Sequence, residues 1–180
     1  MAVLSDHEIW SLIGSGRLKI DPRPEDDYVQ TSAVDLTLAA TFTRFRGPLP
    51  GVRTVIDTRD TGQVMGALAE LGASETVTAG SAFDLKPGDF ALAWTRETVT
   101  LPNFLCARVE GRSTLARLGL SIHQTAPTVH ATFTGVLQLE LRNAGPYELQ
   151  LYPGTKICQL IIETLSSPSV SSYGGIHQGQ

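Results

Sequence analysis

Two arginines and two hydroxyl side chains lie close together in residues 110–117 of the chain. Arg112, Ser113, Thr114 and Arg117 follow a glycine in this segment. Guanidinium groups match phosphate oxygens in geometry and charge, and hydroxyl and backbone N–H groups complete such a site. If Ser113 caps a helical turn that reaches Arg117, the start of that turn favours an anion as well. The alternative is a capped surface helix with solvated arginines, and spacing alone slightly favours this second interpretation.

A carboxylate lies in the middle of the apolar segment 136–142. With the two-residue period of a strand, three leucines share one face, and Gln138, Glu140 and Arg142 share the other. Two interpretations are open. In one, the strand is half-exposed and Glu140 pairs with Arg142; in the other, Glu140 is a desolvated general base.

The histidines do not form a metal site in the sequence. His7, His123, His130 and His177 lack the spacing of metal ligands. The chain also lacks the H-x-E and P-C-x-x-C elements of zinc deaminases. It has no GxGxxG motif or P-loop, and Ser113 has no G-x-S-x-G setting. We therefore expect no zinc and no other metal held by protein ligands.

Helix and strand patterns predict the elements that position these segments. Ser5 and Glu8 have the spacing of a capping box, and apolar residues then recur at helical intervals up to Gly14. A second, short helix is predicted over the alanine- and leucine-rich segment 64–71. The rest of the chain alternates apolar segments with Pro and Gly turns, which predicts a mainly β sandwich or barrel. The predicted strands include residues 33–38, 41–45, 90–94, 136–141 and 157–162.

Composition limits the class of protein. The 180 residues are 42% hydrophobic and 18% charged, which indicates a folded domain, and the net charge of −4 argues against a nucleic-acid-binding protein. Cys106 and Cys158 are too far apart for a CxxC pair, so neither a disulfide framework nor a cysteine-rich zinc site is expected. No apolar run approaches the ~20 residues of a membrane span, and no signal-peptide pattern is present. We expect a cytoplasmic protein with no membrane partner.

The order of several motifs along the chain resembles one family. The motifs are RSTLARLGL at 112–120, TA at 125–126, FTG at 133–135, LELRN at 139–143 and PGTKICQ at 153–159. Together with LSD at 4–6, GRLKIDP at 16–22 and VDL at 34–36, they are similar to the dCTP deaminase family, a branch of the trimeric dUTPase superfamily. Each motif alone is weak, but the ordered set covers nearly the whole chain.

The resemblance implies a fold, an assembly and an activity. The fold is a dUTPase-like distorted β-barrel or jelly roll, with residues 1–165 as the domain and 166–180 as an arm that folds over bound nucleotide. The assembly is a homotrimer with active sites between subunits. The activity is hydrolysis of dCTP to dUTP and ammonia without zinc, feeding dUMP and dTTP synthesis, with Mg²⁺ bound through the triphosphate. The alternatives are a related nucleotide deaminase, a dUTPase-type diphosphohydrolase (including a bifunctional enzyme), or a non-catalytic nucleotide-binding module.

The resemblance also implies roles for individual residues. Glu140 matches the general base, and the predicted catalytic set adds Ser113, Arg117 and Ala126. Phe133 corresponds to an aromatic residue under the deoxyribose. The full predicted substrate-binding set is Arg112, Ser113, Thr114, Leu115, Ala116, Arg117, Thr125, His130, Phe133, Gln138, Leu139, Gln159, Tyr173 and Gln180.

His130 departs from the family pattern. The family usually has Asp-Pro-Gly and an aromatic residue where this chain has His-Ala-Thr-Phe at 130–133. In dUTPases that Asp orients the hydrolytic water and the sugar hydroxyl. A misplacement of ~1 Å costs ~10²-fold in rate, so we expect the reaction to stop at dUTP. Two other roles for His130 stay open, namely a hydrogen bond to the sugar or packing within the loop.

Overall fold

The computed structural model describes residues 2–47 and 50–175. The helices are α1 (Asp6–Gly14), α2 (Thr61–Leu71) and α3 (Ser113–Ala116), with a 3₁₀ turn at Asp26–Tyr28. The strands are β1 (Lys19–Asp21), β2 (Val29–Gln30), β3 (Ala33–Phe45), β4 (Gly72–Thr76), β5 (Phe83–Leu85), β6 (Phe90–Thr100), β7 (Leu105–Gly111), β8 (Leu120–Ser121), β9 (Thr128–Val129), β10 (Thr134–Asn143), β11 (Leu149–Leu151) and β12 (Lys156–Thr164).

Within the described residues, ten strands form one curled antiparallel sheet. Its main path runs β8-β10-β6-β3-β12-β7-β9, while β1 pairs with β6 and both β2 and β4 pair with β3. The strands β5 and β11 form a separate two-stranded sheet. The mainly β architecture expected from the turn and strand pattern is confirmed.

The N-terminal helix begins as predicted. The Ser5 hydroxyl accepts from the Glu8 backbone N–H, and the Glu8 carboxylate accepts from the Ser5 backbone N–H at 2.9 Å. This capping box satisfies backbone donors that a helix start leaves unpaired. The helix ends at Gly14, and its apolar face buries Ile9 and Leu12 against the sheet.

The segments 33–38 and 41–45, predicted as two strands, are one continuous strand, β3. Residues 33–38 are all buried, and the register against β6 shifts between Leu38 and Phe42. Such an irregularity bends a strand without ending it. The two alanines that link the segments carry no turn signal, so a break was not required by the sequence.

The helix predicted over residues 64–71 is confirmed, but it begins three residues earlier. Asp60 is its N-cap, and the Asp60 carboxylate accepts from the backbone N–H groups of Gly62 and Gln63 at 2.9 and 3.1 Å. Asp is one of the preferred capping residues because its side chain satisfies these early donors.

The alternation predicted for the segment around Glu140 is confirmed in β10. Leu137, Leu139 and Leu141 are no more than 5% exposed and belong to the hydrophobic core. Gln138 and Glu140 are half-buried on the opposite face. The three leucines therefore fix the direction in which the Glu140 side chain leaves the strand.

In the described part of the chain, no helix is both long enough and apolar enough to cross a membrane.

Candidate active site

One cavity of about 250 Å³ collects six of the predicted site residues. These are Ala126, His130, Phe133, Gln138, Glu140 and Tyr173. The walls are completed by Pro127 and by residues of β7, β9 and β10, most of them apolar. A larger and more open groove runs beside Trp94 and Pro153, but it contains none of the predicted site residues. The smaller cavity is therefore the one in which the predicted chemistry comes together.

The Glu140 carboxylate is oriented by the loop that crosses it. Glu140 Oε2 accepts from the backbone N–H of Gln124 at 2.8 Å, and the Glu140 backbone N–H donates to the Ile122 carbonyl at 2.9 Å. The Gln124 side chain returns a hydrogen bond to the Glu140 carbonyl at 3.3 Å. Both residues of the alternative pair are described, and no ion pair joins Glu140 to Arg142. The Glu140–Arg142 pair is therefore wrong, because the loop backbone holds the carboxylate instead, whereas the half-exposed strand of that interpretation is confirmed.

Three aromatic rings meet at one wall of the cavity. His130 and Phe133 end a tight turn that is closed by a hydrogen bond from the Phe133 N–H to the His130 carbonyl at 3.2 Å. The Tyr173 ring stacks on His130 with ring centroids 5.2 Å apart and an interplanar angle of 16°. It is tilted by 58° against Phe133 at 5.9 Å. The arm residue Tyr173 therefore lies on the cavity of its own chain, and His130 packs against it.

A second group of predicted residues is assembled around Asp35, which sequence reasoning did not single out as a site residue. Asp35 is 2% exposed, and its Oδ2 lies 2.8 Å from Arg112 Nη1. This contact lies off the N–H direction, so it is an ion pair rather than an aligned hydrogen bond. Gln159 Nε2 donates to Asp35 Oδ1 at 3.0 Å. The signal for Asp35 was present in the VDL motif, where one carboxylate lies between apolar residues of a strand.

Lys156 is also part of this group and was missed by the sequence analysis. Its ammonium lies 3.6 Å from Asp35 Oδ2, donates to Asp27 Oδ2 at 2.8 Å, and lies over the Tyr28 ring. Burial lowers the pKa of Lys156, but the hydrogen bond and charge of Asp27 outweigh it and raise the pKa above its usual value. Lys156 therefore stays a cation beside the predicted phosphate-binding residues.

The helical turn α3 holds the central part of the predicted phosphate segment. Its N-cap is Arg112, without a side-chain cap, and Ser113 is its first helical residue. The expectation that Ser113 caps the turn is therefore wrong, because the extended backbone that an N-cap requires occurs one residue earlier. Leu115 packs partly against the core. The exposed residues are Ser113, Thr114, Ala116 and Arg117.

The two groups lie on opposite sides of β7. The ion pair of Arg112 reaches across β12 to β3, whereas the cavity is lined from β7, β9 and β10. None of residues 112–117 lines the cavity, and neither does Gln159. A single chain therefore contains two separate parts of the predicted site.

Three further predicted residues lie outside both groups. Leu139 is 1% exposed in the core and faces away from the cavity. Thr125 is exposed on the loop beside Ala126. Gln180 lies outside the described residues.

The described residues contain no group of three or more His, Cys, Asp or Glu side chains arranged to hold a metal ion.

A model of the dCTP deaminase-like family matches residues 3–165. The chain belongs to this family. A relative from Methanobrevibacter smithii named "dCTP deaminase, dUMP-forming" is 40% identical over 174 residues, covering 97% of this chain and 86% of the relative. A relative from Rhodospirillum rubrum named "dCTP deaminase" is 39% identical, covering 94% of this chain and 86% of the relative.

Solved structures agree with the dCTP deaminase-like assignment at the level of the fold. A 2'-deoxycytidine 5'-triphosphate deaminase from Agrobacterium tumefaciens matches with a TM-score of 0.66 and 23% identity, over 88% of this chain and 46% of that one. A mutant dUTPase from phage phi11 of S. aureus matches with a TM-score of 0.53 and 14% identity, over 89% and 99%. The dUTPase-like fold expected from the sequence is confirmed.

Proposed function

We propose that the protein is a dCTP deaminase that releases ammonia from C4 of cytosine and forms dUTP. The observation that carries this proposal is the Glu140 carboxylate, which is oriented by the Gln124 N–H at a cavity lined by both polar and apolar groups. Membership of the dCTP deaminase-like family supports the substrate class.

Glu140 acts as both general base and general acid in this mechanism. Its carboxylate takes a proton from water while the water oxygen bonds to C4. The carboxylic acid passes that proton to N3, and the carboxylate then takes the hydroxyl proton of the tetrahedral intermediate. This second proton goes to the amino nitrogen, the C4–N bond breaks, and ammonia leaves a C4 carbonyl and an N3–H behind. The bond from Gln124 holds one carboxylate oxygen in place, so the side chain is positioned before substrate arrives.

The phosphate-binding part of each site comes from a neighbouring subunit in our proposal. The support is that none of Arg112, Ser113 and Arg117 lines the Glu140 cavity of the same chain, and that Arg112 pairs with Asp35 instead. A closed three-fold ring repeats one heterologous contact and joins the two parts three times. We therefore propose a homotrimer, and light scattering at micromolar concentration should give the mass of three chains. A monomeric mass at that concentration contradicts this assembly.

Magnesium has a limited role in this proposal. Mg²⁺ is held by triphosphate oxygens and water, and so it enters with the nucleotide. The protein's own contribution to the phosphate charge is the cationic set of Arg112, Arg117 and Lys156. We expect the protein to lose activity when it is washed free of divalent ions and assayed with EDTA, and to recover activity when Mg²⁺ is added.

Glu140→Gln tests the catalytic role. The amide keeps the shape and can still accept from the Gln124 N–H, but it cannot take a proton from water. We expect ammonia release to fall by ~10²–10⁴-fold with nucleotide binding nearly unchanged. Glu148→Gln is the matched control, because Glu148 is exposed and does not line the cavity. If Glu140→Gln turns over at the wild-type rate, Glu140 is not part of the mechanism. If the wild-type protein releases no ammonia from any nucleotide, the non-catalytic binding module is favoured.

A second candidate is a bifunctional enzyme that continues from dCTP to dUMP. The observation in its favour is the name of the Methanobrevibacter smithii relative, which is called dUMP-forming. Against it stands His130, which replaces the usual Asp and packs on Tyr173. Chromatography at full conversion separates the two: dUTP with ammonia supports our proposal, and dUMP appearing in step with ammonia supports the bifunctional enzyme.

A further inference from the structure

The turn at residues 130–133 holds the arm through two kinds of contact. Its two ring-bearing ends, His130 and Phe133, contact the Tyr173 ring from two directions. Its third residue, Thr132, accepts a hydrogen bond at Oγ1 from the Tyr173 backbone N–H at 2.5 Å. We call this turn the arm cradle. One tyrosine of the arm is therefore held by both its side chain and its backbone.

The backbone of the arm cradle is strained. Thr132 has φ +67°, a left-handed conformation that β-branched residues rarely adopt. Glycine occupies such positions without steric cost, and the family pattern usually has glycine here. A strained residue persists only where its surroundings stabilise it. The hydroxyl that comes with threonine is the group that binds the arm.

We infer that His130 is a positioning residue for the arm, holding Tyr173 over the Glu140 cavity before nucleotide binds. This inference rests on the proposed function, because it assigns a use to the same cavity. The near-parallel stack on the Tyr173 ring requires a ring at position 130, and aspartate, the usual family residue, has none. When Tyr173 is already in place, less conformational entropy is lost as nucleotide binds. His130 should therefore affect substrate affinity.

The first test measures the arm in the ligand-free protein, without any assay of activity. Amide hydrogen exchange at Tyr173 reports the hydrogen bond to Thr132, and an aromatic stack corresponds to about two- to tenfold in the docking equilibrium. We expect His130→Ala to speed exchange at Tyr173 by that factor. His130→Phe keeps a ring and should exchange like the wild type. Thr132→Val, which keeps the branched shape but removes the hydroxyl, should also speed exchange.

The second test separates positioning from catalysis. With dCTP, His130→Ala should raise KM by about two- to tenfold with kcat nearly unchanged, and His130→Phe should restore the wild-type KM. Equal exchange in the wild type and His130→Ala overturns the inference, and so does a His130→Phe variant that behaves like His130→Ala. If the protein does not turn over dCTP, the proposed function fails while the exchange result still decides the role of His130.

Discussion

Arg112→Ala is expected to affect both nucleotide binding and folding, and the structure separates the two effects. Loss of a charge-assisted hydrogen bond to phosphate costs about 1.5–3 kcal/mol, which is roughly a 10- to 150-fold rise in KM. The same substitution removes a partner from the buried carboxylate of Asp35. Breaking a fully buried pair costs about 3–5 kcal/mol.

The stability cost of Arg112→Ala should lie below that range. Asp35 keeps Gln159 at 3.0 Å and Lys156 at 3.6 Å, and the Arg112 side chain is 29% exposed. We therefore expect a loss of about 1–3 kcal/mol in the free energy of unfolding. Thermal and urea unfolding give this value, and steady-state ammonia release gives KM and kcat.

A double variant, Arg112→Ala with Asp35→Asn, provides the decisive comparison. Removing the buried charge together with Arg112 should recover part of the lost stability, because Lys156 retains Asp27 as a partner. The rise in KM should remain. Arg53→Ala, an exposed arginine outside both groups, is the matched control. If the double variant restores KM, or if kcat falls while KM holds, Arg112 does not contribute to binding of the ground-state triphosphate.

Three further predictions concern the fold. Gly119→Ala should destabilise the protein by about 2–5 kcal/mol in urea unfolding, because φ is +96° and the new Cβ would meet the backbone of a neighbouring turn. Gly88→Ala is the comparison: φ is +86° there, but the new Cβ would lie in open space, so the loss should be only about 1 kcal/mol. Ser5→Ala should cost about 1 kcal/mol at pH 7. Hydrogen bonds from the Ser5 backbone and hydroxyl lower the pKa of Glu8. The stability that this capping box contributes is therefore present at neutral pH and is lost as pH falls through the lowered pKa. Unfolding measured at several pH values would show this loss. Burial raises the pKa of Cys158, so a thiol reagent at pH 8 should label it only after denaturation.

Much of the fold was predictable because strand periodicity directly reflects burial. The leucines of β10 alternate in the sequence and are alternately buried in the sheet, and the capping box of α1 is visible as Ser5 and Glu8. Strand β3 was harder. Residues 33–38 alternate in the sequence but are buried on both faces, and the shift near Leu38 leaves no signal that shows whether the strand continues. Periodicity indicates which residues are buried, but it does not indicate where one strand ends.

The candidate site was predictable as a set of residues and not as an arrangement. The motifs identified both Glu140 and Arg112 as site residues. The order of strands in the sheet decides which strand lies between them, and local spacing does not show that order. Asp35 forms an ion pair with Arg112, which is 77 positions away in the sequence. The stack of Tyr173 on His130 likewise joins segments that no local pattern connects. Tertiary packing, rather than composition, determines these partners.

The separation of the Glu140 cavity from the Arg112–Arg117 segment has a genetic consequence for the proposed trimer. An allele that inactivates only the first part and an allele that inactivates only the second should show intragenic complementation when both are expressed in one cell. Random assembly of equal amounts would give about one site in four with both intact parts. Two chains that are each inactive alone would thus form a partly active assembly, because each contributes the part that the other lacks.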